Sequence, residues 1–257
     1  MSAKLETGHA RVGNIDLYYE IHGSGEPLIL LHGGAGAIEM FGPVLPALAA
    51  THRVIAVDLQ AHGRTADIDR PLTYEAMADD IAGFIRHLGL AKADIMGYSL
   101  GGGVAIQIAL RHPRVVHRLV VVSAPFKRDG WAPEILEASG KMGAETAEAM
   151  KHTPMYEHYA LIAPRRQDWP VLMTKLGNLL RADYDWSPQI ATMKAPTLIV
   201  VGDADAIRTA HAAEFFALLG GGQRDASKLV ILPNQTHYTI FAAPLLASTV
   251  LPFLDGY

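Results

Sequence analysis

The stretch Asp94-Ile95-Met96-Gly97-Tyr98-Ser99-Leu100-Gly101-Gly102-Gly103 constrains the fold of this chain more than any other. Ala93–Met96 reads as the end of a buried strand, Gly97-Tyr98-Ser99-Leu100-Gly101 fits G-x-S-x-G, and Gly102–Leu110 reads as an apolar helix. A serine at so sharp a strand-to-helix turn takes a strained backbone conformation, which needs small residues two positions before and after it. The strain lifts the hydroxyl above the sheet edge. The N–H of Leu100 then opens the helix and faces the same space, where unpaired donors and the helix dipole favour an anion. Among 24 glycines the bare pattern can arise by chance, so its place between strand and helix is what selects a catalytic Ser99 over a structural turn.

Around this turn the chain alternates. Val12–Ile21 places a turn dipeptide between two β-like runs, a hairpin signal that starts the sheet antiparallel. Pro27–Leu31 is an unbroken apolar run, as in strands covered on both faces, and it ends in the glycine-rich His32-Gly33-Gly34-Ala35-Gly36. Glu39–Ala50 reads as one helix carrying Pro43 and Pro46, Arg53–Val57 as a strand ending at Asp58, and Tyr74–Leu88 as an amphipathic helix. Strands at Leu119–Val122, Thr197–Val201 and Leu229–Leu232 follow, with a helix around Ala210–Leu219. Repetition of this kind makes a parallel sheet with helices on both faces, and ligands bind at the strand carboxyl ends. Between Pro125 and Ala195 the rhythm breaks, leaving helix-like segments at Glu134–Gly140, Glu145–His152 and Val171–Leu180 among prolines. Seventy residues are too many for a loop, so residues 126–195 are expected to form a helical cap on a core of residues 1–125 and 196–257.

Composition limits the chemistry. The net charge of −4, with no basic run longer than Arg165-Arg166, gives nothing to draw the chain to nucleic acid. The absence of cysteine removes disulfides, thiolate metal sites and a cysteine nucleophile. Met1–Gly8 lacks a secretory apolar core and no stretch has the length of a membrane span, so a cytoplasmic protein with no membrane partner is expected. No histidine spacing makes a metal site and no glycine loop matches a nucleotide fingerprint, so no cofactor is expected.

A neutral serine needs a base, itself oriented by a third group, and the elbow turn predicts the chain order serine, acid, histidine. Only His211 and His237 lie beyond the late acids. His211 falls at a helix start, whereas His237 follows a strand in a loop, so His237 is the base. Asp203 and Asp205 stand together at one strand end and the residues alone do not separate them.

Gly97-Tyr98-Ser99-Leu100-Gly101, His32-Gly33-Gly34, Asp58-Leu59-Gln60-Ala61-His62-Gly63-Arg64-Thr65 and Gly202-Asp203-Ala204-Asp205, in this order, resemble the α/β-hydrolase fold superfamily, in its serine-nucleophile, esterase-like branch. The resemblance implies a mostly parallel, doubly wound sheet of about eight strands with a helical cap. It also implies Asp205 as the acid, and Gly34 beside Leu100 as the oxyanion-hole donors. His32 and His62 are read as structural, and Ala61 departs from the family's usual glycine. Family members that open epoxides or remove halogens attack with aspartate, against which Ser99 argues. The cap supplies Met155, Tyr159, Trp169 and Met173 as candidate substrate-binding side chains. The expected activity is hydrolysis of a small, largely apolar ester through an acyl-enzyme, with a homodimer left open. Lactone or C–C bond hydrolysis, cofactor-free peroxidation and a receptor-like binding role stand as alternatives on the same residues.

Overall fold

In the computed structural model, which describes residues 5–222 and 227–256, eight strands form one sheet in the order β1-β2-β4-β3-β5-β6-β7-β8. The strands are β1 (Glu6–Val12), β2 (Ile15–His22), β3 (Pro27–Leu31), β4 (Arg53–Val57), β5 (Ala93–Tyr98), β6 (Val116–Val122), β7 (Thr197–Ala204) and β8 (Lys228–Thr236). β1 and β2 make the expected hairpin, with Gly13 at φ 58°, and β2 runs antiparallel to β4. Every other pairing is parallel. The central strands are buried on both faces, which is why they read as unbroken apolar runs rather than alternating ones.

Two hydrophobic layers cover the sheet. On one face lie α2 (Tyr74–His87), α3 (Leu100–Arg111) and α9 (Thr209–Leu218); on the other lie α1 (Val44–Ala49) and α10 (Pro244–Leu254). α2 starts at Thr73, whose hydroxyl accepts the Ala76 N–H at 3.0 Å, and ends with Arg86 and His87 against the helix dipole. Its buried face, Tyr74, Met77, Ala78, Ile81, Phe84 and Ile85, follows the helical repeat. The single helix expected over 39–50 is instead a 3-10 turn (Ile38–Phe41) and α1. Gly42 at φ 42° and Pro43 interrupt it, proline having no N–H to continue the ladder.

Between β6 and β7 the chain forms α4 (Pro133–Gly140), α5 (Ala144–Ala149), α6 (Pro154–Ile162), α7 (Trp169–Arg181) and α8 (Ser187–Ile190). α6 has no counterpart in the sequence reading. Its apolar residues make no clean stripe and Leu161 is 81 % exposed, so it is specified by its ends, Pro154 at the first position and Thr153 capping the Tyr156 N–H. Lys175 of α7 ties this segment to the core: its ammonium donates to both Asp67 carboxylate oxygens (2.9 and 2.7 Å) and to the carbonyls of Ile68 and Arg70. Among the described residues no helix is long and apolar enough to cross a membrane.

Candidate active site

Three parallel strands deliver the polar groups of the site at their carboxyl ends. Beyond β5, Ser99 sits at φ 52°, ψ −113°, a conformation rarely adopted by a residue with a side chain. The flanking glycines explain how it is tolerated. A Cβ on Gly97 would stand 2.1 Å from the Gly101 carbonyl oxygen, and one on Gly101 would stand 2.4 Å from that of Leu31. Ser99 N–H donates to Val122 O at 2.9 Å, so the turn is pinned to β6.

His237 follows β8 and is buried. Its Nε2 lies 3.0 Å from Ser99 Oγ, and its Nδ1 lies 3.0 Å from Asp205 Oδ1. The imidazole therefore has one nitrogen to take a proton and the other donating to a carboxylate. Rings of Tyr98, Trp131 and Tyr238 surround it, with centroids 5.2, 5.3 and 5.4 Å away, and the Tyr98 hydroxyl donates to the His237 carbonyl at 2.6 Å.

The choice between the two late carboxylates follows from geometry. Asp205 accepts from His237 and from the N–H groups of Gly202 (3.0 Å) and Ile207 (3.1 Å), and the Ser123 hydroxyl donates to its Oδ2. Burial alone would raise its pKa, but the hydrogen bond and charge of His237, with the other donors, hold it below the ordinary value. Asp203 turns the other way and accepts the Gln235 N–H at 3.1 Å, steadying the end of β8 that leads into His237. Ser123, at φ 49° after β6, was not singled out in the sequence, although it ends an apolar strand just as Ser99 does.

Opposite Ser99, the loop after β3 brings Gly34 to the same cavity as Leu100, and neither N–H has an acceptor among the described residues. His32 holds this loop. Its Nδ1–H donates to Gly33 O at 2.7 Å, and its Nε2 accepts the Leu59 N–H at 3.0 Å, which requires the neutral ring; burial lowers its pKa accordingly. His62 stands beside it, centroids 5.1 Å apart, with its pKa pushed down to about 3 by burial and then by His32. Asp58 closes the arrangement by accepting the Ile38 N–H (3.0 Å) and the Arg64 N–H (2.8 Å). Ala61 keeps the turn by adopting φ 65°, a position that suits glycine.

These groups open into a cavity of about 640 Å³. Its wall is apolar and aromatic, and no Asp, Glu, Lys or Arg lines it among the described residues. Of the four side chains expected to bind substrate, Met155 and Met173 line it. Trp169 and Tyr159 do not. Trp169 is fully buried, its indole donates to Ala147 O at 3.0 Å, and Tyr159 packs on it with centroids 5.1 Å apart, so both rings hold helices together. Trp131, Met40 and Phe241 line the wall instead, from segments with no sequence signal for it. Arg165 pairs with Asp168 and is not among the residues that line the cavity. Among the described residues no group of three or more His, Asp or Glu side chains could hold a metal ion.

Such a sheet, with a serine turn after its fifth strand and an acid and a histidine after its last two, defines the α/β-hydrolase architecture. A family model described as "alpha/beta hydrolase fold" matches residues 26–155. The chain is 33 % identical to the pimeloyl-[acyl-carrier protein] methyl ester esterase of Neisseria meningitidis serogroup B, over 88 % of this chain and 92 % of that protein. It is 29 % identical to RutD of Azorhizobium caulinodans, a protein provisionally named a carbamate hydrolase, over 77 % of this chain and 81 % of that one. The crystal structure of E-2-(acetamidomethylene)succinate hydrolase superposes with a TM-score of 0.78 at 23 % identity, covering 98 % of this chain and all of the other, a likeness of fold. The chain belongs to the α/β-hydrolase family, and it is a hydrolase.

Proposed function

We propose that the protein hydrolyses neutral, largely apolar carboxylic esters through an acyl-enzyme, with Ser99 as nucleophile, His237 as base and Asp205 as the acid that orients it. The observation that carries this reading is the unbroken Ser99–His237–Asp205 hydrogen-bond line opening into a wall free of charged side chains. The segment 126–195 acts as the cap that roofs this space over a core of 1–125 and 196–257.

In the first half-reaction Ser99 Oγ attacks the carbonyl carbon while His237 Nε2 takes its proton. The Gly34 and Leu100 N–H groups receive the oxyanion; donors fixed in such a position are each worth roughly 10²–10³ in rate. Asp205, held charged by its four donors, stabilises the imidazolium, which then protonates the leaving alcohol. In the second half His237 activates water, and the acyl group leaves as a carboxylic acid. The steps require no group beyond the chain and water.

The uncharged wall also bears on substrate class. A substrate carboxylate buried away from water needs a cation, and no Lys or Arg lines the wall among the described residues. C–C bond cleavage of an anionic substrate such as a dienoate is therefore a poorer fit here. Stopped-flow release of nitrophenol from acetyl to octanoyl esters tests the reading. The expected result is a burst near one equivalent followed by turnover, both absent in Ser99→Ala. Turnover at the wild-type rate in that variant would refute it.

A further inference from the structure

One side chain of α7 lies against the loop that carries the Gly34 donor. A Cβ built on Gly34 would meet Leu176 Cδ2 at 3.5 Å, Leu176 Cδ1 at 3.9 Å and Leu100 Cβ at 3.9 Å. These are ordinary van der Waals distances, so the methyls of Leu176 rest on Gly34 beside Leu100. Leu176 is buried, and it lines the catalytic cavity together with Gly34, Ser99 and Leu100. The room next to the two donors is therefore already filled on this side.

The helix that presents Leu176 is held on both sides of it. Lys175, the preceding residue, makes four hydrogen bonds of 2.7–2.9 Å to Asp67, Ile68 and Arg70. Gly177, the following residue, packs so closely that a Cβ there would stand 2.2 Å from Met142 O, and Arg181 Nη1 donates to the same carbonyl at 2.9 Å. At the start of α7 the Trp169 indole donates to Ala147 O. Leu176 is thereby a fixed stop. Elsewhere the wall carries Met40, Met142, Met150, Met155 and Met173, unbranched side chains that re-pack around ligands of different length.

We propose that Leu176 is a specificity-determining residue that excludes acyl groups with a quaternary carbon next to the carbonyl and admits linear ones. With the carbonyl oxygen between the Gly34 and Leu100 N–H groups, a CH2 at that carbon turns its chain away from Leu176 and presents only hydrogens. A quaternary carbon has no such choice, because in every rotamer one of its methyls lies beside the carbonyl oxygen, in the room that Leu176 fills. The inference rests on the ester reading, and the test separates the two. It compares kcat/KM for 4-nitrophenyl butanoate and 4-nitrophenyl pivalate, each divided by its rate of hydrolysis by hydroxide, which removes the intrinsic hindrance of the pivaloyl group. The wild-type protein should favour the butanoate by about tenfold or more on this scale, the worth of a misfitted methyl in an apolar pocket. Leu176→Ala should remove most of that preference. Leu176→Val takes away a single methylene, keeps the site nearly filled should the alanine variant not fold, and should fall between. A wild-type protein that handles both esters alike overturns the inference, and so does a preference in Leu176→Val and Leu176→Ala equal to that of the wild type. Absence of butanoate hydrolysis overturns the ester reading and this inference with it; butanoate turnover with the preference unmoved overturns this inference alone.

Discussion

Acidification tests the buried histidines that brace the site. His62 and His211 are buried, and burial pushes their pKa values from 6.5 to about 3 and about 4. His32 shifts in the same direction. A histidine with a depressed folded pKa stays neutral in the native state and binds a proton when unfolded. Stability is therefore intact above pH 6.5 and declines as pH falls toward the folded pKa. At pH 5, one and a half units below the ordinary value at about 1.4 kcal/mol per unit, each costs about 2 kcal/mol. His62 and His211 together then remove about 4 kcal/mol between pH 7 and pH 5, a large share of a typical domain's 5–15 kcal/mol. Urea unfolding at pH 7, 6 and 5 measures this, and His62→Gln isolates one contribution, because its loss over the interval should be about 2 kcal/mol smaller than that of the wild type. The absolute stability of the variant does not enter. An identical pH slope in wild type and variant would refute the argument. The consequence reaches the site, since a protonated His32 cannot accept the Leu59 N–H and the loop carrying Gly34 loses its brace.

Ser123→Ala takes from Asp205 its only hydroxyl donor, a charge-assisted hydrogen bond worth about 1.5–3 kcal/mol; kcat should fall about tenfold with KM little changed in steady-state ester assays. Ala61→Gly relieves a left-handed backbone that costs about 1–2 kcal/mol with a Cβ, less the roughly 0.4–1 kcal/mol of added unfolded-chain entropy, so it should stabilise by about 0.5–1 kcal/mol in urea. Lys175→Met leaves Asp67 part-buried without its cation and the Ile68 and Arg70 carbonyls without that donor. A loss of about 2–3 kcal/mol is expected, and a loss below about 0.5 kcal/mol would show that the tie contributes nothing.

The sheet was readable because burial on both faces writes itself as continuous apolar runs, and the serine turn because its glycines are sterically required at fixed positions. His237 followed from chain order and its place after a strand. Asp203 and Asp205 could not be separated from the residues alone: two positions apart at one strand end, they differ only in which way the chain leaves β7. That depends on donors from Gly202, Ser123 and Ile207, of which Ser123 is 82 residues away in sequence. Trp169 and Tyr159 were misassigned for a related reason. A large aromatic ring fills a helix interface as well as a ligand wall, and composition does not tell which side of a helix meets which.

Chemistry and specificity in this chain are therefore encoded at different ranges. Ser99, His237 and Asp205 follow the carboxyl ends of β5, β8 and β7, so a parallel sheet brings them together whatever covers it. The cavity wall has no such device. Met40 comes from the turn after β3, Trp131 from the chain after β6, Met155 from α6, Met173 from α7 and Phe241 from the turn before α10. Each of these residues could change without disturbing the hydrogen-bond line, because none of them donates to it or accepts from it. Of these five, Trp131 alone also meets the histidine, through its edge-on contact with the His237 ring, so a substitution there should alter rate as well as substrate preference.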